Sequence, residues 1–333
     1  MSSIPEPVMR AEDEEEILDP ARPIIDPHHH LWDDDRPRYL LDELLADTRS
    51  GHNVRATVFV DCRSMYRRDG PEALRSVGEV EFANGVAAMC ASGNYGDIRA
   101  CAGIVSYADL RGGEEAEAVL DALDRAGGGR FRGIRQMATH DEQVRVHPSP
   151  HLYLDPRFRK GFARLQRRGY SFDAWLYHPQ LPELIDLMEA FPEAKLVLNH
   201  IGGRIGIGTY SSRQEEVRAA WSNDVKALAR YPNMHVKLGG LGMSLCGFGF
   251  EKQETPVSSA VLADAWRPYF ETCIEAFGPE RCMFESNFPV DKPSCSYRAA
   301  WNAFKCIAAG ASEEEKAALF SGTAARFYNL SLG

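Results

Sequence analysis

Residues 24–32 read IIDPHHHLW, and the fold turns on what this stretch begins. A short β-branched run suits a strand. In an extended segment alternate residues share a face, so His28 and His30 project together while His29 points the other way. Two neutral imidazoles placed in this way can hold one divalent cation or flank one substrate. An affinity tag would be longer and would not be framed by Asp26 and Trp32.

Working outward, seven further runs have the same strand character: Ala56–Asp61, Arg99–Val105, Phe131–Gln136, Ser171–Leu176, Lys195–His200, Met234–Leu238 and Arg281–Glu285. Between them lie stretches with apolar residues three and four apart, among them Glu114–Arg125, Pro156–Arg168, Leu181–Phe191, Arg213–Arg230 and Ala260–Phe277. Strand and helix in alternation predict parallel strands joined by right-handed crossovers. No Gly-x-Gly-x-x-Gly follows the first strand and no GxxxxGK[ST] occurs, which removes support for an open nucleotide-binding sheet. The expected fold is therefore α/β, a (β/α)8 TIM barrel with extra C-terminal helices over residues 24–333. An acidic N-terminal arm, residues 1–23, precedes it, with Glu12–Glu16 acidic without a break.

The chain has 333 residues, 44% hydrophobic and 26% charged, enough to bury a large core. A net charge of −10 and the lack of a basic tract speak against nucleic acid as partner and favour a small molecule. No apolar run approaches the ~20 residues that cross a bilayer, and the start is acidic where a signal peptide would be basic and then apolar. A cytoplasmic protein is expected, with no membrane partner; a homo-oligomer stays open. The eight cysteines are scattered without a CxxC pair, so reduced, buried thiols are expected rather than a zinc ribbon or a disulfide framework.

In such a barrel the chemistry gathers at the C-terminal ends of the strands. Those ends carry His28 and His30, Arg135, His178, His200, Lys237, and Glu285 with Asn287, a polar ring at one mouth. The segments IIDPHHHLWD, FRGIRQ, VLNHIGG, HVKLGGLGM, CMFESNFPVD and GTAARFYNL together resemble the amidohydrolase superfamily, in the branch that holds 2-pyrone-4,6-dicarboxylate lactonase and sugar-acid lactonases. The resemblance runs in order over roughly residues 24–330. It implies a divalent metal, zinc first, on His28, His30 and His178, with no organic cofactor, and catalytic roles for His178, His200 and the eighth strand. There the family pattern resembles Gly-Ser-Asp-Trp-Pro, whereas this chain has Glu285-Ser286-Asn287-Phe288-Pro289. Asn287 cannot take a proton from water near neutral pH, and a neutral ligand compensates a cation less. Glu285 or Asp291 could replace the lost base, with Glu285 preferred, and His178 or His200 would serve if neither reaches. Both the metal-bound and the metal-free forms stay open.

Arg135 could hold a substrate carboxylate by a two-pronged hydrogen bond, and Lys237 could polarise a carbonyl or pair with Glu285. The polar stretch with His140, His147 and His151 reads as a long loop over the mouth, while His52 and His235 read as structural. Five glycines between Lys237 and Pro256 would let the chain cross the mouth closely, with Phe248 and Phe250 as an apolar wall. Trp32, Tyr39, Tyr66 and Trp175 could add aromatic surface, and Cys62 with Arg63 stand where substrate could be touched. The expected function is hydrolysis of a lactone or related acyl bond in a small, carboxylated molecule. The alternatives are metal-dependent non-oxidative decarboxylation of an aromatic or unsaturated acid, and a non-catalytic small-molecule binder.

Overall fold

The computed structural model describes residues 15–144, 149–255 and 257–330. All eight expected strands form: β1 (Pro23–His29), β2 (Asn53–Val60), β3 (Arg99–Ser106), β4 (Phe131–Ile134), β5 (Ser171–Ala174), β6 (Leu196–Leu198), β7 (Met234–Leu238) and β8 (Cys282–Phe284). Each pairs in parallel with its chain neighbour, in the order β1 to β8. The crossovers carry α1 (Leu41–Thr48), α2 (Val77–Ala91), α3 (Ala116–Gly127), α4 (Pro156–Arg167), α5 (Leu181–Ala190), the single turn α6 (His200–Gly203), α7 (Gln214–Leu228) and α8 (Ser259–Phe277). Three helices follow the barrel: α9 (Tyr297–Ile307), α10 (Glu313–Ala317) and α11 (Thr323–Tyr328).

The cylinder closes by short range bonds between β1 and the segment after β8. His30 N–H donates to the Phe288 carbonyl at 2.8 Å, and Asn287 N–H to the His28 carbonyl at 3.0 Å. Asp26 reinforces this seam, accepting from Ser286 N–H and Oγ–H and from the Tyr297 hydroxyl of α9. Burial raises its pKa to about 6 against these donors. Asp26, which frames the histidines in the sequence, therefore also joins the two ends of the barrel wall.

Alternation along the strands separates two apolar layers. Ile25, Val58, Val60, Val105, Val197 and Met283 fill the interior, where Ala324, Phe327 and Tyr328 of α11 join them. The outer layer packs helices on strands. In α4, Asp155 caps the Arg157 N–H and Pro156 takes the first turn, where its missing N–H costs nothing. Phe158 and Phe162 then lie one turn apart, and both meet Phe172 of β5 edge-on.

Strand ends differ from expectation where the chain must turn toward the mouth. The sixth strand was expected through His200, but His200 and Ile201 take φ of 52° and 50° and break the pairing after Leu198. Residues 15–22 lie on the barrel: Leu18 N–H donates to Asn302 of α9, and Lys305 donates to the Asp19 carbonyl. The rest of the acidic arm lies outside the described residues. Among the described residues no helix is long and apolar enough to cross a membrane.

Candidate active site

Glu285, immediately after β8, organises the mouth. Its Oε1 accepts from His200 Nδ1–H at 2.6 Å and from the His200 backbone N–H at 3.1 Å. Its Oε2 lies 2.8 Å from His28 Nδ1, close enough for an ion pair but out of line for a directed hydrogen bond, which leaves Oε2 without one. Glu285 and His28 are fully buried and His200 nearly so. Burial, more than any neighbour, pushes the Glu285 carboxyl up to about 8. It also holds the His28 and His200 imidazoles well below their ordinary value, with Lys237 and Arg135 adding to the effect.

The hydrogen bonds assign the tautomers. His200 spends its Nδ1–H on Glu285, and His30 spends its own on the Val60 carbonyl at 2.8 Å, so each keeps a lone pair on Nε2. The three rings of His28, His30 and His200 stand together, with centroids 4.9 and 4.5 Å from that of His28. His29 points away, toward Thr57 and Phe59, as the strand period requires. Trp175 meets His200 edge-on at 4.6 Å.

Two cations complete the group. Arg135 places Nη1 3.3 Å from His28 Nε2, donates Nη2 to the Asp61 carbonyl, and keeps a buried Nε with no partner. Lys237 pairs at 2.7 Å with Asp173, not with Glu285, and also donates to the Pro27 carbonyl. Its Nζ lies 3.3 Å from His28 Nδ1. Asp173 further accepts from Asn199 and from the Tyr328 hydroxyl of α11. Sequence reasoning missed Asp173 and Tyr328. A carboxylate inside the otherwise apolar strand SFDAW was the available signal, because a charge there needs a partner.

The structure does not bring the expected set of His28, His30 and His178 to one point. His178 begins the turn after β5, accepts the Ile205 N–H on Nδ1 at 3.2 Å, and lies edge-on to Tyr210. Its Nε2 therefore carries the ring proton and is a donor, not a metal ligand. Burial, with Arg204 nearby, lowers its pKa to about 4. Asn287 is also committed elsewhere: its amide donates to Asp291 at 2.8 Å, while the other Asp291 oxygen accepts Gly242 N–H at 3.0 Å. Asp291 thus ties the loop after β8 to the loop after β7, with both oxygens engaged.

Further out, Trp175, Tyr177 and Ile205 form a small cluster joined by Val144 and Tyr210. The long loop after β4 is fastened there by Tyr210 to Asp141 and by Gln143 to Thr209. His151 faces Glu183 at 2.9 Å on the surface, and His147 lies outside the described residues. Cys62 donates its thiol weakly to the Leu31 carbonyl. Beneath the loop after β2, Asp61 and Glu79 are buried and share a side-chain hydrogen bond, and burial with Asp61 beside it pushes the Glu79 carboxyl well up.

The model of the amidohydrolase family matches residues 25–330. The chain belongs to the amidohydrolase family. This amidohydrolase is 34% identical over 331 residues to the uncharacterized protein y4mH of Sinorhizobium fredii, an alignment spanning 92% of this chain and 98% of that one. It is 30% identical over 234 residues to an L-fucono-1,5-lactonase of Burkholderia multivorans, covering 69% and 72% of the two chains. A solved amidohydrolase of Burkholderia multivorans with bound zinc superposes with a TM-score of 0.72 at 26% identity, over 92% of this chain and 99% of that one.

Among the described residues the donor set that converges is His28, His200 and Glu285, whose ligand atoms lie within 4.8 Å of one another. It does not suit a divalent cation. Both nitrogens of His28 already face a cationic group, Lys237 Nζ and Arg135 Nη1, each at 3.3 Å. A dication on either nitrogen would stand against a fixed positive charge in a medium that screens poorly. Lys237 is already paired with Asp173, and burial raises the Glu285 carboxyl to about 8, so the group has no surplus negative charge to offset a dication.

Proposed function

We propose that this amidohydrolase is a lactonase that hydrolyses the cyclic ester of a small hydroxy acid without a metal. The observation that carries the reading is the Glu285–His200 pair at the mouth, with a 2.6 Å hydrogen bond on Nδ1 and a lone pair on Nε2. The L-fucono-1,5-lactonase relative supports the substrate class. His200 Nε2 takes a proton from water as the water oxygen bonds to the ring carbonyl carbon. Glu285 fixes the ring orientation and offsets the charge of the imidazolium that forms. The guanidinium of Arg135, anchored on Asp61 and with Nε unspent, stabilises the oxyanion. The ring C–O bond then breaks, the departing alkoxide takes the proton from His200, and the product acid ionises. His178, as an Nε2–H donor, binds a substrate oxygen. Eight free cysteines agree with a reducing compartment, and we place the protein in the cytoplasm.

The test is acid release from 1,5- and γ-lactones of sugar acids, followed at constant pH in chelator-treated buffer. One equivalent of acid per lactone and no carbon dioxide is expected. Carbon dioxide release from an aromatic acid, with strict metal dependence, would favour decarboxylation instead. A ligand-induced rise in melting temperature without turnover would favour a binder.

A further inference from the structure

The face of the barrel opposite the mouth holds three adjoining hollows of about 280, 220 and 320 Å3. The first is lined by Arg99, Arg130 and Arg132 over a floor that includes Ala87, Ala102 and Leu330. The second shares Arg99 with it and adds Arg55, and the third adds Arg49. Five arginines therefore meet along the N-terminal ends of β2, β3 and β4, and Asp97 is the one carboxylate in the linings. The protein as a whole carries −10.

Among the described residues none of the five makes an ion pair. Three are oriented by neutral acceptors: Arg49 by the Tyr95 carbonyl, Arg130 by Asn84 Oδ1, each at 2.7 Å, and Arg132 by the carbonyls of Gly129 and Phe131. Arg132 also keeps a buried Nε without a partner. Asp124 acts on Arg132 from nearby without pairing with it. Among the described residues Arg55 and Arg99 have no side-chain hydrogen-bond partner. Guanidinium groups held in place by neutral oxygens and without an ion pair repel, as Arg130 does Arg132, unless an anion joins them, and their planar forks match phosphate oxygens.

We propose that this face is a second ligand site, for a compact phosphate- or pyrophosphate-bearing small molecule, held by Arg99, Arg130 and Arg132. The anionic end lies on the three guanidinium groups and a small carbon body packs on the alanine floor. Each hollow is near the lower limit, about 300 Å3, for small-ligand pockets.

Calorimetric titration of the full-length protein with inorganic pyrophosphate tests this, using wild type, Arg99→Ala, Arg130→Gln and Arg135→Ala. Arg99 is exposed at the start of its strand, so Arg99→Ala should keep the fold, checked by circular dichroism. Wild type should bind one equivalent saturably, with Kd raised about tenfold or more in Arg99→Ala and in Arg130→Gln, and unchanged in Arg135→Ala. Absence of saturable binding, equal affinity in Arg99→Ala, or loss in Arg135→Ala, which would place the anion at the mouth, overturns the proposal. So does a wild-type dimer that dissociates in Arg99→Ala, which would assign the face to a second copy of the chain.

Discussion

Glu285 stands two residues before the position where the family pattern has its aspartate, and its carboxyl group lies against His200 and His28. Because both of its oxygens face imidazole nitrogens of His200 and His28, the proposed mechanism has it orient the base rather than act on water itself. The expectation that Glu285 abstracts the proton is replaced, in this reading, by His200 as base with Glu285 as its partner. Glu285→Gln keeps the shape and removes the charge, and should lower kcat by about tenfold or more, measured by acid release with KM little changed. Retention of wild-type turnover would move the role elsewhere. Arg135→Lys cannot keep both the Asp61 anchor and the contact with His28, so kcat/KM should fall about a hundredfold. Individual residue types at strand ends were legible from the sequence. Their hydrogen bonds were not, since periodicity says which face a side chain takes and not which nitrogen its neighbour occupies.

At the scale of elements, the end of β7 is shaped for the site. A Cβ on Gly239 would stand 2.4 Å from Glu285 Cγ, and one on Gly240, whose φ is +70°, would stand 2.5 Å from His200 Cγ. The pair of glycines is therefore the floor on which the dyad rests, and a side chain at Gly240 meets both a ring and an unfavourable backbone conformation. Gly240→Ala should destabilise by about 1–3 kcal/mol in urea unfolding and reduce turnover more than Gly249→Ala, since Gly249 has open space around it. The motif HVKLGG signalled close approach without saying to what. The eight strands were legible because each is a short β-branched or apolar run between amphipathic stretches. Their mouth-side ends were not, because His200 and Ile201 bend by backbone conformations that no residue type announces.

For the whole molecule, charge balance was the least legible property. The five arginines of the N-terminal face are spread from residue 49 to residue 132 and form no tract, so the sequence appears uniformly acidic. At the mouth, Arg135 and Lys237 stand 3.3 Å from the two nitrogens of His28, so a dication there would meet fixed positive charge. Protein purified without added metal should contain well below one zinc per chain by elemental analysis and keep its activity after chelation. One zinc per chain, with activity lost on its removal, would contradict this. The most direct measurement of the central claim is kcat/KM for lactone hydrolysis against pH, in chelator, for wild type and Glu285→Gln side by side. Glu285 is raised to about 8, and the competent form is the ionised one that leaves His200 Nε2 free. Wild-type activity should therefore climb as pH rises through about 8, and Glu285→Gln should lose that limb along with most of the rate. An identical profile and rate in the two proteins would contradict the account.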